Sequence, residues 1–114
     1  MKIRIVENSR IPAMLSWFIN IGAITLYPFI ISRGVMSKET LNHERIHIEQ
    51  QKELLVVGFY LLYIMYWLVN LLWHKMGKSE AYLMIPFEKE AYANDGNPDY
   101  LKTRRRFAWL KKYA

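Results

Sequence analysis

The run from Leu54 to Trp73 is twenty residues long and carries no charge. A stretch of that length and composition either crosses a bilayer or buries most of its surface against other elements, so it dictates the architecture around it. It contains no proline and one glycine, Gly58. Tyr60, Tyr63, Trp67, Asn70 and His74 recur within it every three or four residues, which draws a partly polar stripe along an otherwise apolar helix. A core helix of a small domain has this pattern, and so does a membrane-embedded helix with an interfacial face. A second uncharged run, Ile11 to Ser32, is broken by Pro12, Asn20, Gly22 and Pro28 and reads as loop and strand. Met1 to Asn8 reads as the approach to a strand and not as a secretory signal, since no small-residue cleavage site follows.

The remaining elements follow from local pattern. Lys2 to Val6 alternates charged and apolar residues, as a short strand does. Ile24 to Ser32 is rich in β-formers, reads as a second strand, and is closed by Arg33-Gly34. Ser37 suits a helix N-cap, and Glu39 in the first turn complements the helix dipole. That helix is expected from Lys38 to at least Glu53, continuing into the apolar run with a bend at Gly58. Met76 to Ser79 reads as a break. Pro86 opens a further helix to about Ala93. Asn94 to Pro98 is a turn cluster, and Asp99 is placed to cap a last short helix through Trp109.

At 114 residues the chain suits one domain, residues 1–114, with a core modest enough that a metal would be a useful staple. It has no cysteine, so any metal must be held by His, Asp or Glu. The net charge of +6 equals the six bases after Tyr100, namely Lys102, Arg104, Arg105, Arg106, Lys111 and Lys112. The chain is therefore a neutral body with a basic tail, 101–114, in which Phe107, Trp109 and Tyr113 alternate with the bases. Such a tail packs its aromatics on the core with its charges in water, or rests on an anionic membrane surface. Nucleic acid is the weakest reading, because no nucleic-acid fold signature accompanies the tail.

The chemistry sits in Asn42-His43-Glu44-Arg45-Ile46-His47, which contains His-Glu-x-x-His. Residues four apart share a helix face, so His43 and His47 can ligate one metal from one side. Glu44 lies about 100° around the helix, where a carboxylate reaches a metal-activated water without ligating. Chance gives this pattern on the order of once in a few hundred chains of this length. The bland alternative is a surface helix with two solvated histidines. His74, the third histidine, ends the apolar run and reads as an interfacial or helix-terminal residue.

A catalytic zinc wants a third protein ligand and an open position. A histidine six residues after His47 is ruled out, because that position is Glu53. Glu88 and Glu90, in Pro86-Phe-Glu-Lys-Glu-Ala-Tyr92, are the main candidates, with Glu49, Glu53 and Glu80 behind them. Ala91 is three after Glu88 and shares its face, where a small residue permits close approach of two helices; this favours Glu88 and leaves Glu90 as the alternative. Tyr60, Tyr63 and Tyr66 read as core or interface aromatics that could also line a pocket.

His-Glu-x-x-His followed by Glu-x-x-Ala resembles the gluzincin zinc metallopeptidases. The segments 42–51, 86–92 and 106–110 are similar to short bacterial and phage proteins of that type. The resemblance implies zinc held by His43, His47 and Glu88, with Glu44 as the base. It implies that Ile24 to Ile31 is the strand above the cleft that pairs with an extended peptide or protein substrate. Many gluzincins carry Asp or Asn four residues after the ligand glutamate to orient a histidine; here that position is Tyr92, whose hydroxyl would bond a histidine or stabilise an oxyanion.

The expectation is thus an α+β, mainly helical, minimal zincin-like domain with a short N-terminal strand element. It would be a zinc metallopeptidase of the cytoplasm or of a membrane surface, with a partner or second copy completing a cleft too small to be deep. The competing readings are a non-catalytic zinc protein and a small membrane-embedded protein. In the latter, two spans would put His43 and His47 on one side and the basic tail on the other.

Overall fold

The computed structural model describes residues 3–12 and 23–114. The fold is α+β. Three strands, β1 (Arg4–Val6), β2 (Ala23–Leu26) and β3 (Phe29–Ser32), form a sheet in the order β1-β3-β2. β1 runs parallel to β3 with Ile5 opposite Ile30, and β2 runs antiparallel to β3 with Thr25 opposite Ile30. The single strand expected over Ile24 to Ser32 is therefore a hairpin. Pro28 explains the difference: it has no N–H to give a ladder and a fixed φ, so the chain reverses at Tyr27-Pro28. Ile30 and Ile31 of the central strand are buried, while all three residues of β1 are exposed. The part of the uncharged run between Ala13 and Gly22 lies outside the described residues.

α1 (Lys38–Glu53) starts as the sequence predicts, with the Ser37 hydroxyl accepting from the Thr40 N–H at 3.1 Å. It is the central helix, packed against β2 on one side and a later helix on another. Its interior positions are unusual: His43, Glu44, His47, Gln50 and Gln51 are buried beside Ile46 and Ile48. A helix this polar is buried only where every polar group finds a partner.

α2 (Val57–Leu68) follows after a 110° change of direction and winds on as a π-helical turn through Trp73. The bend expected at Gly58 falls instead at Leu55 and Val56, both at positive φ, and Gly58 is an ordinary helical residue. Phe59 and Asn70 on one face of α2 are buried, and Tyr63, Tyr66 and Trp67 pack beside them. Among the described residues no single helix is long and apolar enough to cross a membrane; α1 and α2 meet the length and composition only as a bent pair.

α3 (Lys78–Leu83), not anticipated, begins within the expected break and ties back through the Asn70 side chain, which donates to the Ala81 carbonyl at 2.9 Å. α4 (Pro86–Asn94) has its proline at the first turn, as expected. α5 (Tyr100–Thr103) is a single turn and does not run on to Trp109. Arg104 turns extended after it, which carries its guanidinium inward between two carboxylates. A final π-helical turn, Trp109–Tyr113, sets Trp109 on Phe87 with ring centroids 4.7 Å apart. Phe59, Ile85, Phe87 and Trp109 form the core cluster, so the tail's aromatics do pack inward while Lys111 and Lys112 stay exposed.

Candidate metal centre

α1 and α4 pack together, and Ala91, fully buried, lets them approach. The approach brings Glu88 to the two histidines. Its Oε1 lies 3.0 Å from His43 Nε2 and 3.1 Å from His47 Nε2. All three side chains are buried, and their ligand atoms lie within 4.8 Å of one another. The solvated-histidine alternative does not describe this helix.

The other ring nitrogens settle the protonation. His43 Nδ1 is 3.0 Å from Asp95 Oδ2, an oxygen that accepts. His47 Nδ1 is 2.7 Å from Gln50 Oε1. The Gln50 amide cannot be the other way round, because its nitrogen donates to the Phe87 carbonyl at 3.0 Å and to Glu90 Oε1 at 2.9 Å. Each histidine therefore carries its proton on Nδ1 and, when neutral, turns a bare Nε2 toward Glu88. Two nitrogen lone pairs and a carboxylate oxygen then converge with no hydrogen between them. Only a cation or added protons can satisfy that arrangement.

The donor set fits zinc. Ligands about 2.0–2.1 Å from a tetrahedral zinc stand about 3.3 Å apart, so the two edges to Glu88 Oε1, at 3.0 and 3.1 Å, are short of that by only a few tenths of an ångström. Without a metal the protons take its place. Burial would lower the pKa of His47, but the Glu88 carboxylate beside it, its hydrogen bond, and more weakly Glu44 and Gln50 push it up to about 9. Burial would raise Glu88, yet His47 and His43 hold it well below the usual carboxylate range.

Around this triad the chain builds supports that the motif did not reveal. The Tyr63 hydroxyl donates to Glu88 Oε2 at 2.7 Å, leaving Oε1 for the centre. Thr25 on β2 donates to Glu44 Oε2 at 2.5 Å and fixes that carboxylate next to the triad. Gln51 donates to the Thr25 carbonyl at 2.8 Å and accepts from the Tyr27 N–H at 2.8 Å, so its amide pairs with the edge of β2 as a neighbouring strand would. Tyr60 also donates to the Thr25 carbonyl.

Glu90 is not at the centre. It is fully buried against Arg104, whose Nε is 2.5 Å from its Oε2, and it receives the Tyr100 hydroxyl at 2.6 Å. Glu53 pairs with the same Arg104, at 2.9 and 3.0 Å, and Glu49 with Lys52. Glu80 is exposed. Tyr92 reaches the site differently from the expectation. Its ring packs edge-on against His43, centroids 4.4 Å apart, and its hydroxyl meets that of Tyr82 at 3.2 Å, not a histidine. The orienting role falls to Asp95, seven residues after Glu88 instead of four. The signal was present in the spacing, since seven residues are two helical turns.

A cavity of about 470 Å3 adjoins the centre. Glu44, His47 and Glu88 line one side, and Ala23, Ile24, Phe59, Tyr60, Ile64 and Trp67 form walls that are mostly apolar. Tyr63 and Tyr82 also reach it, and burial pushes the Tyr82 hydroxyl well above its ordinary range, so it stays protonated. The group that could hold a metal thus has three members and one side facing a cavity, whereas a structural zinc is closed by four protein ligands. No known protein family matches this chain, nor does any curated protein or solved structure.

Proposed function

We propose that this chain is a zinc-dependent metallohydrolase that cleaves peptide bonds. The observation that carries the reading is the convergence of His43 Nε2, His47 Nε2 and Glu88 Oε1, with both Nδ1 atoms already committed to acceptors. Zinc, preferred over harder cations by two imidazoles and one carboxylate, would supply Lewis-acid activation of water and of the scissile carbonyl. Glu44 takes the proton from the attacking water and delivers it to the leaving amine, and Thr25 holds the carboxylate in place for both transfers. Tyr82 donates to the developing oxyanion from across the cavity, with Tyr92 behind it fixing its hydroxyl. Gln51 occupies the outer edge of β2 at Thr25 and Tyr27, which leaves Ala23 to offer backbone there to an extended peptide, and the mostly apolar cavity takes a large hydrophobic side chain. The reading includes a cytoplasmic location against a membrane surface.

Metal analysis together with turnover tests this. Wild type and Glu90→Gln are expected to hold near one zinc per chain, and His43→Ala and Glu88→Ala to lose it. Glu44→Gln is expected to keep the zinc and lose cleavage of unfolded polypeptides by at least about a hundredfold. Zinc in wild type, with equal lack of cleavage in wild type and Glu44→Gln across a peptide library, would instead mean a non-catalytic zinc protein.

A further inference from the structure

The outward face of α2 is apolar from end to end. Val57, Leu61, Ile64, Met65, Leu68 and Leu72 are all exposed, Leu61 at 67% and Leu72 at 75%. They recur every three or four residues, opposite the face that Phe59 and Asn70 bury in the core. Over a helical length of about 25 Å no polar side chain interrupts the stripe. A helix on a solvated surface carries charge there, and contiguous exposed apolar surface of this extent marks an interaction site.

The charge at the two ends of the stripe says what covers it. At the far end stand Trp73, 81% exposed, then His74, Lys75 and Lys78. At the near end stand the exposed Arg105 and Arg106, because Arg104 and Phe107 on either side of them both bond Glu53, the last residue of α1. No acid occurs between Leu54 and Ser79. Four acids, Glu44, Glu53, Glu88 and Glu90, are turned into the interior, while Arg104 is the one described base that joins them. The outer surface is therefore more basic than the net charge of +6 indicates. Pairing two copies through the stripe would bring bases against bases at both ends, whether parallel or antiparallel. An anionic bilayer surface complements both the bases and the stripe, with the exposed tryptophan at headgroup level.

We propose that the outer face of α2 seats the protein on an anionic lipid surface, with the helix lying in the plane of the membrane. The opposite face is committed to Phe87 and the core cluster, so α2 docks without crossing. Ile64 belongs both to the docking face and to the cavity wall, so the docking face borders the cavity. The docking stands on the surface alone; joined to the hydrolase reading, it names the substrate as a membrane-associated polypeptide with an apolar segment.

Sedimentation of the full chain with vesicles of phosphatidylcholine and phosphatidylglycerol in equal parts tests the docking, since it needs no metal and no substrate. Wild type is expected to pellet with these vesicles, to pellet less with phosphatidylcholine alone, and to be released partly by salt. Leu61→Glu/Leu68→Glu is expected to weaken binding at least tenfold, and Lys75→Glu/Lys78→Glu to remove the preference for anionic lipid. Both variants replace exposed residues, and unchanged zinc content and thermal transition would show that they fold. Three outcomes would overturn the proposal. One is vesicle binding that the leucine changes leave intact. Another is a dimer, by sedimentation velocity, that the leucine changes dissociate while no vesicles bind. The third is a monomer indifferent to lipid.

Discussion

His43 Nδ1 and Asp95 Oδ2 are 3.0 Å apart, and this contact ties the C-terminal end of α4 to the face of α1 that carries both histidines. The carboxylate fixes the tautomer and aims Nε2 at the centre. Asp95→Ala is expected to weaken zinc binding by about 10- to 100-fold while leaving the stoichiometry at one under saturating zinc. Competition with a chromophoric chelator measures it. Asp95→Asn, which keeps an acceptor but not the charge, is expected to fall between. An unchanged affinity in both variants would mean that Asp95 does not support the ligand.

Zinc must displace the protons that hold the metal-free centre together. With His47 pushed up to about 9, its imidazole is protonated at neutral pH in the apo protein, and binding releases that proton. The apparent zinc affinity is expected to rise about tenfold per pH unit from neutrality toward pH 9 and then to level. Calorimetry in buffers of different ionisation enthalpy counts the proton. Apo stability follows the same groups with opposite signs. His47, raised when folded, contributes fully below its unfolded value near 6.5, and this contribution is lost as pH climbs through about 9. Glu88, lowered when folded, contributes above its unfolded value near 4.5 and loses this as pH falls below it. The apo protein is therefore expected to be most stable in mildly acidic solution, by urea unfolding in the presence of chelator.

Part of this centre was legible from spacing alone. The four-residue interval between His43 and His47, the buried Ala91 three after Glu88, and Pro86 at a helix start are all periodic or positional signals within one element. Thr25, Gln50 and Gln51 were not legible, and Tyr63 was legible as a pocket aromatic but not as the donor to Glu88. Each acts through a contact that depends on how two elements meet, and hydropathy reads Gln50 and Gln51 as solvated when both are fully buried. The 110° turn was expected at Gly58 and lies at Leu55-Val56 for a related reason. Leucine and β-branched valine at positive φ are costly, so local preference argues against placing a bend there, and only the packing of α2 on Phe87 requires it. Arg104 is the clearest case: it looked like one of six tail bases and is a buried one.

Thr25 tests how the base is held. Its hydroxyl is the group that positions Glu44 Oε2, and its carbonyl is bound separately by Gln51 and Tyr60, so the strand survives loss of the hydroxyl. Thr25→Val is expected to lower kcat several-fold to about tenfold, with KM and zinc content little changed. Thr25→Ser, which restores the donor, is expected to recover kcat. An equal loss in Thr25→Ser would make Thr25 a packing residue only.

Arg104 separates stability from metal binding. Its guanidinium meets Glu53 through two hydrogen bonds and Glu90 through two more, with all three side chains at most 6% exposed. Glu53 also accepts the Phe107 N–H at 2.7 Å, so the ion pairs anchor the segment that sets Trp109 on Phe87. Removing the cation strands two buried carboxylates, and Arg104→Met is expected to cost about 3–5 kcal/mol by urea unfolding. Replacing the carboxylates as well, in Glu53→Gln/Glu90→Gln/Arg104→Met, is expected to recover part of that loss, since the dominant penalty is the unpaired charge and not the absent attraction. Glu90 reaches His47 only through Gln50, so in the triple variant zinc stoichiometry is expected to stay at one and affinity to fall modestly, by less than in Asp95→Ala. Loss of zinc from a variant still folded by circular dichroism would place Glu90 at the metal and overturn the assignment of Glu88 as the third ligand.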